Sequence, residues 1–102
     1  MEKEIEKELL SKKLFVEYLS EALVKNAIPC IQEVNYEVLS KDSGYVEFII
    51  VTYKGGAIAV RNSTHNSKQA IFREIGKLLD GGYYTEVPYY KSLLEQDWIK
   101  IL

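Results

Sequence analysis

Few residues in this chain are of the types that do acid–base, nucleophilic or metal chemistry, and they lie far apart. There is one histidine, His65, and one cysteine, Cys30. No His, Cys and carboxylate cluster occurs at the spacing a zinc or transition-metal site needs. Gly55-Gly56 and Gly81-Gly82 are pairs, not the longer glycine patterns whose backbone amides cradle phosphates. No serine sits in a nucleophile-elbow pattern. The sequence therefore predicts a non-enzyme with no catalytic residues, no metal and no cofactor. His65 falls in Arg61-Asn62-Ser63-Thr64-His65-Asn66-Ser67, between a strand end and a helix start. Such a loop can bind an anion through amides and the helix dipole. Without a glycine, capping and solvation are the simpler reading, with His65 a solvated loop residue.

The chemistry that is present is that of contact. Tyrosine occurs eight times in the chain, and four of the eight fall in Gly82-Tyr83-Tyr84-Thr85-Glu86-Val87-Pro88-Tyr89-Tyr90. Tyrosine joins a large apolar body to a polar tip and is enriched in binding hot spots. Adjacent rings on a helix point about 100° apart, so one ring of each adjacent pair stays outside the core. Two roles remain open: rings that close the core beneath a loop, or an interface. The candidate partner-binding residues are Tyr83, Tyr84, Glu86, Tyr89 and Tyr90, with Tyr45, Tyr53 and Arg61 as a second patch on a sheet face.

Composition bounds the partner. The chain has 102 residues, 47% of them hydrophobic and 27% charged, and a net charge of −2. That suits one globular domain, 1–102, and argues against intrinsic disorder. Thirteen basic residues against fifteen acidic ones give no phosphate-tracking stripe, so direct nucleic-acid binding is not expected. No apolar run approaches the ~18 residues of a membrane span. The opening Met1-Glu2-Lys3-Glu4-Ile5-Glu6-Lys7-Glu8 lacks the apolar core of a signal peptide, and a cytoplasmic location is expected. A lone cysteine excludes an internal disulfide.

The elements that must position these residues follow from periodicity. Residues 1–27 read as a long helix free of Gly and Pro, with Ile5, Leu9, Val16, Leu19 and Leu23 on its apolar stripe and Lys12 interrupting it. A second line, Leu10, Leu14, Phe15, Tyr18 and Ala22, is expected to widen the buried face. A three-stranded meander over 34–61 follows: Val34–Val38, Tyr45–Tyr53 and Ala57–Arg61. Lys41-Asp42-Ser43-Gly44 and Lys54-Gly55-Gly56 supply the turns. A two-residue second turn would place Val51 and Tyr53 with Ile58 and Val60. A three-residue loop would place Phe48 and Ile50 there. The three-residue loop is preferred, because it gathers Val34, Val38, Val46, Phe48, Ile50, Ile58 and Val60 on one face. Helices over 66–80, capped by Asn66, and over 86–95, capped by Thr85, precede a strand over 97–102. The predicted class is α+β, ordered α-β-β-β-α-α-β, an antiparallel meander with helices packed on one face.

This order resembles the small prophage-encoded anti-CRISPR proteins that inhibit the RNA-guided nuclease of type II systems. Phe48-Ile49-Ile50-Val51, Ala59-Val60-Arg61-Asn62 and Leu79-Asp80-Gly81-Gly82-Tyr83, followed by Glu86 and Tyr90, carry the likeness. It implies a small protein of a phage or mobile element that binds and inhibits a host protein, a CRISPR nuclease being the candidate. Strongly acidic members of that family mimic DNA. This chain carries both signs of charge, so the resemblance does not extend to DNA mimicry. The alternative is a homodimeric structural or accessory protein whose mixed sheet face pairs with itself; monomer and homodimer are both open.

Overall fold

A computed structural model describes residues 2–26, 31–42, 44–54, 56–63, 67–79 and 85–102. The elements run α1 (Glu2–Lys25), β1 (Ile31–Lys41), β2 (Gly44–Tyr53), β3 (Gly56–Asn62), α2 (Lys68–Leu79), α3 (Val87–Glu95) and β4 (Ile99–Lys100). This is the α+β order read from the sequence. The strands form one antiparallel sheet, β3-β2-β1-β4. Among the described residues no helix is long and apolar enough to cross a membrane.

The expected packing of the helices on one face is corrected: the sheet meets helices on both faces, because β1 and β2 carry apolar residues on both alternations. α1 and α2 lie together on one, over Val34, Tyr36, Val38, Ile49, Val51 and Val60, with Leu9, Val16, Ile71 and Ile75 pointing down from the helices. α3 covers the other, where Leu93 meets Leu39, Phe48, Ile50 and Ala59. β1 is longer than its alternation suggests, because Tyr36 through Leu39 are buried on alternating sides. A strand covered on both faces reads as a continuous apolar run rather than as a clean alternation.

The second hairpin corrects the expected register. Tyr53 pairs with Gly56, Val51 with Ile58 and Ile49 with Val60, so two residues and not three close the loop. Gly56, at φ +155°, serves as the first residue of β3 rather than as part of the turn. A side chain is rarely found in that conformation, which is why glycine stands there. Phe48 and Ile50 therefore face α3, not α1 and α2. Since side chains alternate, the one-residue difference turns every partner in the hairpin to the other face. The first hairpin is also tight: Lys41 pairs with Gly44, and Asp42 takes φ +55°, as a two-residue hairpin turn requires.

The helix ends are explained locally. At α2 the Ser67 hydroxyl accepts from the Ala70 amide at 3.2 Å, an N-cap bond; Asn66 lies outside the described residues. The Thr85 hydroxyl accepts from the Val87 amide and from the Ala59 amide, each at 3.1 Å. The Glu86 amide donates to the Ala59 carbonyl at 2.6 Å. Entry to α3 is thus sewn onto the β3 edge. At the opposite edge, Ile101 donates to Val38 at 2.9 Å and Val38 to Leu102 at 3.2 Å, continuing the pairing of β4.

Candidate interaction surface

Lys12, the residue that broke the apolar stripe of α1, points into the sheet. Its Nζ lies 3.1 Å from Glu47 Oε1. The same oxygen accepts from the Tyr36 hydroxyl and from Asn62 Nδ2 at 3.2 Å. Glu47 is 1% exposed and Lys12 6%, so the cluster is sealed. Glu47 Oε2 is buried with no hydrogen-bond partner among the described residues. Burial, then the hydrogen bond and negative charge of Glu47, push the Tyr36 hydroxyl far above its ordinary range. Nearby, the Ser20 hydroxyl accepts from the Val34 amide at 2.9 Å. These contacts hold α1 in one position on the sheet.

The α3 face is built differently. Phe48 lies at its centre, fully buried, with Tyr90 edge-on at 5.1 Å and Tyr89 tilted at 6.1 Å. The Tyr90 hydroxyl donates to Glu37 Oε1 at 2.5 Å, and Lys100 Nζ stands 3.5 Å from the same oxygen. Burial, then the bond and charge of Glu37, raise the Tyr90 hydroxyl to about 12. Arg61, which pairs with Phe48 across the β2–β3 ladder, extends over the Tyr89 ring, 4.9 Å from its centroid. Its Nε is 3.4 Å from Glu86 Oε2. Tyr89 and Arg61 are exposed and Glu86 is half-buried. The result is an aromatic and arginine surface fixed from behind by the core and open in front.

The structure brings together Arg61, Glu86, Tyr89 and Tyr90 of the residues singled out from sequence. Tyr90 uses its ring in the core and its hydroxyl at the rim; Tyr89 is the outward ring. Tyr83 and Tyr84 lie outside the described residues, as do His65 and Cys30. The second patch does not form as expected. Tyr45 and Tyr53 pack against the core under α1 and α2, whereas Arg61 projects from the opposite face. The two-residue hairpin accounts for the difference. The mixed sheet face expected for self-pairing is divided between the two sides of the sheet.

Sequence reasoning missed Glu37, Phe48 and Lys100 as supports of the site, because each is an ordinary strand residue until the ladder places it. It also placed Leu10, Leu14 and Tyr18 toward the core, and they are exposed. The chain matches no protein-family model, no curated protein and no solved structure.

Proposed function

We propose that this protein is a non-enzymatic interaction protein that binds and inhibits a host macromolecule through its α3 face. The observation that carries the reading is the Arg61 guanidinium held between the exposed Tyr89 ring, 4.9 Å away, and Glu86, 3.4 Å away. Arginine and tyrosine dominate interface hot spots because each offers a broad, rigid, amphipathic surface. Here the two already touch, so part of the side-chain entropy that binding costs is lost beforehand. The pairing also limits the partner's chemistry. A carboxylate or a carbonyl-rich loop can compete with Glu86 for the guanidinium, and an apolar or aromatic group can lie on Tyr89.

The specific form suggested by the resemblance is a phage or mobile-element inhibitor of the type II RNA-guided nuclease. Its test is cleavage of a matched DNA duplex by that nuclease with its guide, with this protein added in increasing amounts. The expected result is loss of cleavage, with Arg61→Ala/Tyr89→Ala raising the half-inhibiting concentration at least tenfold, about 1.4 kcal/mol. Full cleavage in excess protein overturns inhibition of that nuclease. Inhibition unchanged by the double substitution overturns the assignment of the surface.

A further inference from the structure

Leu10, Leu14 and Tyr18 follow one another at one-turn intervals along α1 and are 48%, 57% and 68% exposed. At 100° per residue they fall within about 80° of arc, and Leu14 stands about 160° around the helix from the core residue Val16. α1 is therefore apolar on two opposite sides, although one side suffices to dock it on the sheet. On the neighbouring helix, Phe72 of α2 is 59% exposed. With Phe15, Lys68, Gln69 and Arg73 it lines a groove of about 430 Å³ between the two helices. Large apolar side chains left this exposed on two packed helices of a folded domain mark a contact site.

We propose that this helical layer is a homodimer interface in which α1 packs antiparallel against α1 of a second copy, about a two-fold axis at Leu14. The stripe is complementary to itself in that arrangement. Leu14 meets Leu14, Leu10 meets the second copy's Tyr18, and Lys7 meets the second copy's Glu21. A parallel pairing would set Lys7 on Lys7 and Glu21 on Glu21, a like-charge contact at each end. A two-fold lying in the plane of the helical layer and across α1 keeps α2 on the same side, so it also brings α2 over α2. The exposed Phe72 rings then close on the same interface. The α3 faces point outward from the two ends of the dimer. Two copies of the Arg61–Tyr89 surface are thereby presented by one particle, which raises avidity for a repeated or paired target.

Sedimentation equilibrium of the full chain tests this. The wild type is expected to be a dimer at ~100 µM, a concentration at which micromolar association is populated. Leu14→Lys and, separately, Tyr18→Lys are each expected to give a monomer with the wild-type circular dichroism spectrum. Lys7→Glu is expected to raise the dimer dissociation constant at least tenfold, and adding Glu21→Lys to restore it. A wild type that remains monomeric up to ~0.5 mM, where even a ~1 mM interaction shows, overturns the dimer. So does a dimer indifferent to both lysine substitutions. A charge reversal that the second substitution does not restore overturns the antiparallel arrangement. None of these substitutions touches the α3 face, so partner inhibition is read separately.

Discussion

The two faces of the sheet hold similar residues and use them in opposite ways. Under α1, a carboxylate, an ammonium, a tyrosine hydroxyl and an amide meet at Glu47 and are closed off from water. Under α3, Arg61, Glu86, Tyr89 and Tyr90 keep their polar ends at the rim, with Phe48 as a common floor. A buried charge that loses its partner is costly to the fold, so the first cluster specifies how α1 seats. An exposed ion pair contributes little to stability, so the second can be spent on recognition. Charge alone does not separate the two. Burial does.

The largest effect should come from breaking the sealed face. Glu47→Ala takes the buried carboxylate away from Lys12, Tyr36 and Asn62 together and is expected to cost ~3–5 kcal/mol in urea unfolding. Glu47→Leu combined with Lys12→Met should recover part of that loss, since no charge is then left alone. If the double substitution is worse than Glu47→Ala, the cost lies in packing and not in an unpaired charge.

Tyr90 belongs partly to each kind of site and sharpens the comparison. Tyr90→Phe keeps the edge contact with Phe48 and removes the bond to Glu37, for an expected loss of ~1–2 kcal/mol. Burial of that hydroxyl, and then the same bond, make stability fall in alkali. The neutral hydroxyl is the donating form, and in the fold its pKa rises from 10.0 to about 12. Its stabilising contribution is complete below pH ~10 and disappears as the pH climbs through ~12. Tyr36 shifts in the same direction and further. Urea midpoints should therefore fall above pH ~10, and fall less steeply in Tyr90→Phe. An equal fall in the two proteins would show that Tyr90 is not the group whose titration costs stability.

Arg61→Ala should have the smallest effect on the fold. A half-exposed ion pair and an exposed cation–π contact together contribute at most about 2 kcal/mol. A larger loss in urea unfolding would make Arg61 a structural residue and remove the contrast between the faces.

Much of the fold was legible in the chain. Tyr45 through Tyr53 is β-branched or aromatic nearly throughout, and the Lys41–Gly44 turn fixes the first hairpin. The second register was not legible, because β2 carries apolar residues on both alternations and Lys54-Gly55-Gly56 admits either loop. Only the cover of α3 on one face and α1 with α2 on the other gives both alternations a core. Lys12 read as a break in a stripe because its partner, Glu47, lies 35 residues on. Leu10, Leu14 and Tyr18 have the period of a core face, and periodicity does not say which side of a helix meets the sheet. In the site, Glu86, Tyr89 and Tyr90 were found from composition and helix geometry. Arg61 was singled out too, but grouped with Tyr45 and Tyr53, which the hairpin turns away.

Backbone hydrogen exchange of the chain, alone and mixed with the type II nuclease and its guide, tests the proposed division between the faces most directly. The account predicts new protection at Ala59–Asn62 and Val87–Tyr90, with the amides beneath α1 around Glu47 unchanged. Protection confined to α1, or none at a saturating concentration of the nuclease complex, would contradict it.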